Sequence, residues 1–291
     1  MLNDAHCHFF SSRFLELLAP GSSPDATAAL LKWDRPGSPA DLGDRWIAEL
    51  DRQGVARAAL IASVPGDAGS VAEAVRHHPD RFVGMFMHNP AAADADEALD
   101  RAFAESHFRG VCLFPAMHGY RIDGDSVDKT FRAAAAHGAV VFVHCGVLTI
   151  GVRAKLGLPS PFDLRLGDPL AVARVALGYP QVPVIIPHFG AGFFREALMA
   201  ADQCATIHLD TSSSNGWIKF APGLTLETVF RTTLAVTGPG RLLFGTDSSF
   251  FPRGWQRSIY DEQSRILTSI GVSAADRDAI LGGNFDRVFG P

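Results

Sequence analysis

Short apolar runs alternate with amphipathic stretches through the whole chain, and this alternation limits the fold more than any other feature. Eight runs read as strands: 2–9, 56–64, 82–88, 110–114, 139–144, 182–188, 205–210 and 241–247. Several are continuously hydrophobic, such as Val140-Val141-Phe142-Val143 and Val182-Pro183-Val184-Ile185-Ile186. Strands of that kind are buried on both faces, as in a parallel sheet. Between them, helical spacing appears at 41–53, 70–78, 92–107, 126–137, 169–177, 193–202, 226–236 and 258–270, with a last stretch at 273–281. Ser126 and Ser273 stand where N-caps belong, and Gly138 and Gly271 where helices stop.

Eight strands alternating with helices over 291 residues predict one (β/α)8 TIM barrel domain spanning residues 1–291. A doubly wound open sheet is the competing architecture, but no Gly-x-Gly-x-x-Gly fingerprint follows a strand. Two longer stretches read as functional loops. The first, 20–39, is rich in Gly, Ser and Pro; the second, 147–166, carries Arg153, Lys155, Phe162 and Arg165. No internal repeat or linker divides the chain.

Composition narrows the partners. With 47% hydrophobic residues the chain can build a large core, and a formal charge of −5 offers no basic field for nucleic acid. No apolar run is long enough to span a bilayer, and no secretory-type segment is visible at the N-terminus. Cys7, Cys112, Cys145 and Cys204 are widely spaced, as expected of buried free thiols. The expectation is a cytoplasmic protein that acts on a small molecule.

Near the N-terminus, Asp4-Ala5-His6-Cys7-His8 places two histidines on alternate strand residues, so their side chains share one face while Cys7 turns away. Convergent neutral imidazoles suit zinc and its neighbours. Three further polar residues fall at the C-terminal ends of inferred strands: His144, His188 and Asp247. From His8 to His144 is about 136 residues, or four βα units of about 34. The remaining spacings place His188 on strand six and Asp247 on strand eight. In a (β/α)8 barrel that end carries the active site.

These stretches, together with Val143-His144-Cys145-Gly146, Gly167-Asp168-Pro169-Leu170, His188-Phe189-Gly190, Leu209-Asp210-Thr211-Ser212, Leu243-Phe244-Gly245-Thr246-Asp247 and Ile280-Leu281-Gly282-Gly283-Asn284, resemble the amidohydrolase superfamily. They are most similar to its amidohydrolase-2 branch, which holds aminocarboxymuconate semialdehyde decarboxylase, resorcylate-type decarboxylases and lactone hydrolases. The resemblance implies that His6, His8, His144 and Asp247 ligate one divalent metal, zinc first, with manganese, iron or cobalt as alternatives. It further implies that His188 and Asp247 handle protons beside an activated water. Strand four reads Gly110-Val111-Cys112-Leu113-Phe114-Pro115, without the lysine or acid that bridges two metals, so one ion at most is expected.

The expected activity is hydrolysis of an ester, lactone or amide of a small carboxylated molecule. Non-oxidative decarboxylation on the same residues is the alternative, and a silent ligand-binding barrel the third reading. Arg253, Trp255, Phe9, His118 and Tyr120 are the expected substrate contacts, with Phe10, Phe251, Arg153 and Arg165 as further candidates. His88 and Asp210 end strands; for Asp210 a bracing role is expected. His77, His78, His107 and His137 are expected at solvent-facing helix ends. A homodimer is compatible with the resemblance, but no residue pattern fixes an interface.

Overall fold

The computed structural model describes residues 1–105, 108–212 and 215–290. Eight strands form one parallel sheet in chain order: β1 (Asn3–Phe9), β2 (Arg57–Ala62), β3 (Phe82–His88), β4 (Phe108–Leu113), β5 (Val140–Val143), β6 (Val184–Ile186), β7 (Ile207–Asp210) and β8 (Leu242–Leu243). The ring closes between its ends: Ala5 N donates to Phe244 O at 2.9 Å, His8 N to Ser248 O at 2.7 Å and Asp247 N to His6 O at 2.9 Å. This is a (β/α)8 barrel, with helices packed around the outside. All eight sequence-read strands are present. β6 and β8 are shorter than the apolar runs suggest, because the chain leaves the ladder before His188 and Asp247, whereas β7 keeps Asp210 in the ladder.

Two hydrophobic layers follow from the period-two alternation. Ala59, Ile61, Met85, Val140, Phe142 and Ile185 fill the barrel interior. Leu60, Val111, Val141, Val143, Val184 and Ile186 face the helices. β1 breaks the alternation once. Between Asp4 and Cys7 its register with β2 gains a residue, a bulge of the kind that re-aims side chains. Ala5 joins the interior, whereas Cys7 and Phe9 join the outer layer. Phe9 therefore faces the helices, which corrects its expected place as a substrate contact.

Helix ends follow ordinary capping chemistry. Ser38 and Asp41 form a capping box that starts the helix Pro39–Gln53, and Ser273 caps Ala274–Asp278 as read from sequence. The helix Asp125–His137 instead begins after Gly124, so Ser126 lies in its first turn rather than at its cap; Gly138 ends it in the left-handed conformation. Both presumed loops contain helix: Pro24–Leu31 in the first, Gly151–Lys155 and the turn Leu164–Gly167 in the second. The helix Ser12–Leu18, just after β1, also went unread because it is only two turns long. All four cysteines are buried and free. Among the described residues, no helix is long and apolar enough to cross a membrane. His107 lies outside the described residues.

The loops above β5 and β6 touch backbone to backbone. At Gly146, φ is +70°, and an added Cβ would come within 2.3 Å of the carbonyl oxygens of Gly190 and Ala191. Gly157 has a similar φ of +68° but open space around it. Gly146→Ala should therefore lower stability by about 3–5 kcal/mol, against about 1–2 kcal/mol for Gly157→Ala, which meets only the left-handed penalty. Unfolding curves of the two variants check this; equal midpoints would mean that the two loops separate freely.

Candidate active site

His6, His8, His144, His188 and Asp247 all border one cavity of about 410 Å³, at the C-terminal ends of the strands. Two of them have left-handed backbone: His188 (φ 55°) and Asp247 (φ 58°). Such conformations in non-glycine residues persist where surrounding contacts impose them, and they concentrate at functional sites.

The ring orientations of His6 and His8 are set from behind. His6 Nδ1 lies 2.6 Å from Asp210 Oδ2, and Asp210 Oδ1 accepts from Ser212 N at 2.6 Å. His8 Nδ1 lies 2.7 Å from Ser63 Oγ, whose own proton goes to Ile61 O at 3.0 Å. Each Nδ1–H thus has an acceptor, which leaves each Nε2 with its lone pair. Those lone pairs point at one another, 3.3 Å apart, and at Asp247 Oδ1, which is 3.1 Å from His8 and 3.8 Å from His6.

Three electron-pair donors converging in this way repel unless a proton or a cation lies among them. Ligand atoms bound at about 2.0–2.2 Å to one ion stand about 3–3.5 Å apart, close to the separations found here. Two imidazoles and a carboxylate are donors that zinc, manganese, iron and cobalt accept. The residues present therefore fit a divalent ion. His144, the fourth expected ligand, stays outside this trio: no nitrogen of its ring is within 4.8 Å of all three atoms. It stacks on Phe114 at 5.2 Å, meets His188 edge-on at 5.4 Å, and its buried Nδ1 has no hydrogen-bond partner among the described residues.

Electrostatics separates the members. Burial opposes charge on His6, but the carboxylates of Asp210, Asp247 and Asp4 outweigh it and raise its pKa to about 9. Burial lowers the pKa of His8, against the pull of Asp247, and drives that of His188 down to about 4. His144 is likewise held well below the usual range by burial. Although buried, Asp247 remains far below the ordinary carboxylate range because His8 bonds to it and His6 lies close. Asp210 is also ionised, despite full burial, through its contact with His6.

The expected substrate contacts divide. Arg253 reaches the cavity rim, where its guanidinium donates to Ser249 Oγ at 2.7 Å and Asp247 O at 3.2 Å and lies 4.5 Å above the ring of Phe250. Trp255 does not reach the cavity; its indole N–H donates to the buried Asp4 carboxylate at 2.7 Å. His118 and Tyr120 are also turned away, because the helical turn Pro115–His118 and the left-handed Gly119 fold the chain back, and Met117 lines the cavity instead. Of the further candidates, Phe10 and Arg153 line it, whereas Phe251 packs on Trp46 and Arg165 pairs with Asp163. His88, the last residue of β3, is buried without lining the cavity.

Sequence reading missed Ser63, Ser212 and, apart from Phe10, the aromatic wall. Phe14, Phe10, Trp33 and Phe250 stack in succession, with ring centres 4.2, 5.3 and 4.4 Å apart. Trp33 and Phe14 belong to the two stretches after β1 that share a small core with Val152 of the β5 loop. For Ser63 a signal existed: it lies two residues past Ile61, on the inward parity of β2.

The fold and this cluster define a (β/α)8 enzyme of the amidohydrolase type. The chain belongs to the amidohydrolase family, which it matches over residues 4–290. It is similar to 5-carboxyvanillate decarboxylase from Novosphingobium aromaticivorans, solved with manganese and 4-hydroxy-3-methoxy-5-nitrobenzoic acid (16% identity, TM-score 0.67, 100% of this chain and 96% of that one). It is also similar to an amidohydrolase from Burkholderia multivorans with bound zinc (16%, 0.66, 99% of each chain). A protein described as probable 2-pyrone-4,6-dicarboxylic acid hydrolase from Acinetobacter baumannii, with citric acid bound, is alike to a similar degree (16%, 0.64, 100% and 99%). No curated protein matches the chain.

Two predictions follow from the bracing contacts. Asp210→Asn removes the charged acceptor behind His6 and should weaken zinc binding about 10–100-fold, measured by competition with a chromogenic chelator. Ser11, the cap of Ser12–Leu18, faces both oxygens of Asp67 at 2.9 Å, and burial raises the Asp67 pKa to about 6 against the bonds from Ser70 and Ser11. A carboxyl group whose folded pKa lies above its unfolded value of 3.8 favours the native state when protonated, so that contribution is lost as pH rises through about 6. Asp67→Asn should therefore gain about 1–3 kcal/mol on the wild type between pH about 4 and 7. Denaturant midpoints across that range test it; a constant difference would refute it.

Proposed function

We propose that this chain is a metal-dependent hydrolase that opens an ester, lactone or amide bond of a small carboxylated molecule. The convergence of His6 Nε2, His8 Nε2 and Asp247 Oδ1 on one point carries the reading. Those three residues would hold the ion, zinc first, with His144 lining the space beside them. When bound, such an ion supplies Lewis acidity and activates water near neutral pH.

The chain's own residues supply the rest. Asp247, held ionised, can accept a proton from the attacking water. His188 faces the same space and can polarise the carbonyl or pass a proton to the leaving group. The exposed guanidinium of Arg253 offers N–H groups to a substrate carboxylate. Beside it, the Phe10, Trp33 and Phe250 wall gives a flat apolar surface for the body of the molecule.

Decarboxylation is the second reading, and the apolar lining favours it. Leu18, Met87, Val147, Leu148 and Ile150 border the cavity, and such walls desolvate a carboxylate, which promotes its loss as CO₂. One of the similar structures is of a decarboxylase and another of a presumed hydrolase.

A screen of lactones and aromatic carboxylic acids, run with zinc-loaded and manganese-loaded protein, separates the readings if acid release and CO₂ release are recorded independently. Acid without CO₂ is the expected result; CO₂ from an aromatic acid would support the second reading. Asp247→Asn should abolish either activity. Arg253→Ala should raise KM about tenfold or more for a carboxylated substrate and leave that for its neutral amide nearly unchanged. Full activity after Asp247→Asn, or in metal-stripped protein, would overturn the proposal.

A further inference from the structure

Behind the cavity, one buried hydroxyl lies between two histidine rings. Ser212 Oγ is 3.1 Å from Nδ1 of His6 and 2.7 Å from Nδ1 of His188, and Ser212 is fully buried. Among the described residues its side chain has no other hydrogen-bond partner. A hydroxyl donates one proton. His6 Nδ1 cannot take it, because that nitrogen already carries a proton, directed at the carboxylate of Asp210 only 2.6 Å away. The remaining acceptor is His188 Nδ1, at the shorter of the two distances.

The reverse arrangement fails. If His188 Nδ1 carried the proton, Ser212 Oγ would face two donors, and the proton of this buried hydroxyl would have no acceptor among the described residues. Buried hydroxyl groups rarely remain unpaired in this way. We infer that Ser212 is a positioning residue that holds His188 in the tautomer protonated on Nε2. His188 Nε2 has no protein partner among the described residues, and the ring borders the cavity. His188 therefore presents an N–H donor to the substrate.

The chemical consequence rests on the function proposed above; the tautomer itself does not. With its proton on Nε2, His188 is a donor that stabilises negative charge growing on a substrate oxygen, as in other preorganised sites. The first proton acceptor is then the Asp247 carboxylate. The His188–Ser212 contact thus divides labour between two residues that the sequence leaves interchangeable.

The test is nuclear magnetic resonance of protein labelled with ¹⁵N in its histidine rings, metal-free and zinc-loaded, with the His188 signals identified by their loss in His188→Asn. The expected wild-type pattern has a pyridine-type, hydrogen-bonded Nδ1 and a protonated Nε2 in both states. A proton on Nδ1 would overturn the proposal. In Ser212→Ala, the Nδ1 resonance should move toward the position of an unbonded pyridine-type nitrogen, whereas Ser212→Thr, which keeps the hydroxyl, should stay at the wild-type position. If the alanine variant does not fold, Ser212→Cys, with its weaker donor, should shift Nδ1 the same way. An Nδ1 resonance that ignores the loss of the hydroxyl would equally overturn it. Because the readout needs no turnover, it stands apart from failure of the substrate screen.

Discussion

The seam between β1 and β8 is the contact on which the rest depends. β8 is only two residues long, and the ring is closed by backbone bonds from residues past its end. Asp247 N donates to His6 O, and Ser248 O accepts from His8 N. The backbone bonds that close the barrel are thus the same ones that bring a carboxylate to two imidazoles. The buried Asp4 reinforces the join: Thr246 N, Thr246 Oγ1 and Trp255 Nε1 all donate to it, as does His6 N. Burial raises the pKa of Asp4, and these donors oppose that shift. Three of these four bonds tie the start of the chain to the segment that follows the last strand.

Local electrostatics builds on that geometry. Asp210 and Ser63 take the outer protons of His6 and His8, which fixes both rings with their lone pairs inward. Around them, apolar walls penalise any additional charge, so His144 and His188 remain neutral while Asp247 and Asp210 remain ionised. The ionised Asp247 thus borders the cavity beside the neutral rings of His144 and His188, with Asp210 behind His6. That arrangement suits the capture of a cation better than the capture of an anion.

Much of this was legible in sequence, for physical reasons. Buried parallel strands must be nearly all apolar, so eight such runs could be counted directly, and polar residues at their ends then marked the barrel mouth. Parity on β1 placed His6 and His8 together; the same parity sets Phe9 beside Cys7 on the outer layer, against its expected place as a substrate contact. What could not be read depends on distance in three dimensions. Trp255 looked like a cavity aromatic because it follows Asp247 closely, yet its indole N–H satisfies Asp4. Ser212 is silent in the sequence, since a single hydroxyl beyond a strand end follows no period. The bulge in β1 is equally silent, because an extra residue in a register shows only against its neighbour.

The aromatic wall and the polar cluster have separate supports. The cluster hangs on strand ends and buried carboxylates, whereas Phe10, Phe14 and Trp33 pack with Leu31 and Val152 into a small core of their own, formed by the excursions after β1 and β5. Of these, Phe10 meets the cluster directly, its ring 5.6 Å from that of His8, while Phe14 and Trp33 stack behind it. Changes of volume at Trp33 or Phe14 therefore act on what fits against the cluster rather than on the cluster's geometry. Arg253 also couples the two, since one guanidinium both bonds to Asp247 O and stacks on Phe250. Under the proposed function, a substrate carboxylate held there would be registered against the carboxylate of the cluster and the flat wall at once, so one residue would set both where the molecule lies and which way it faces.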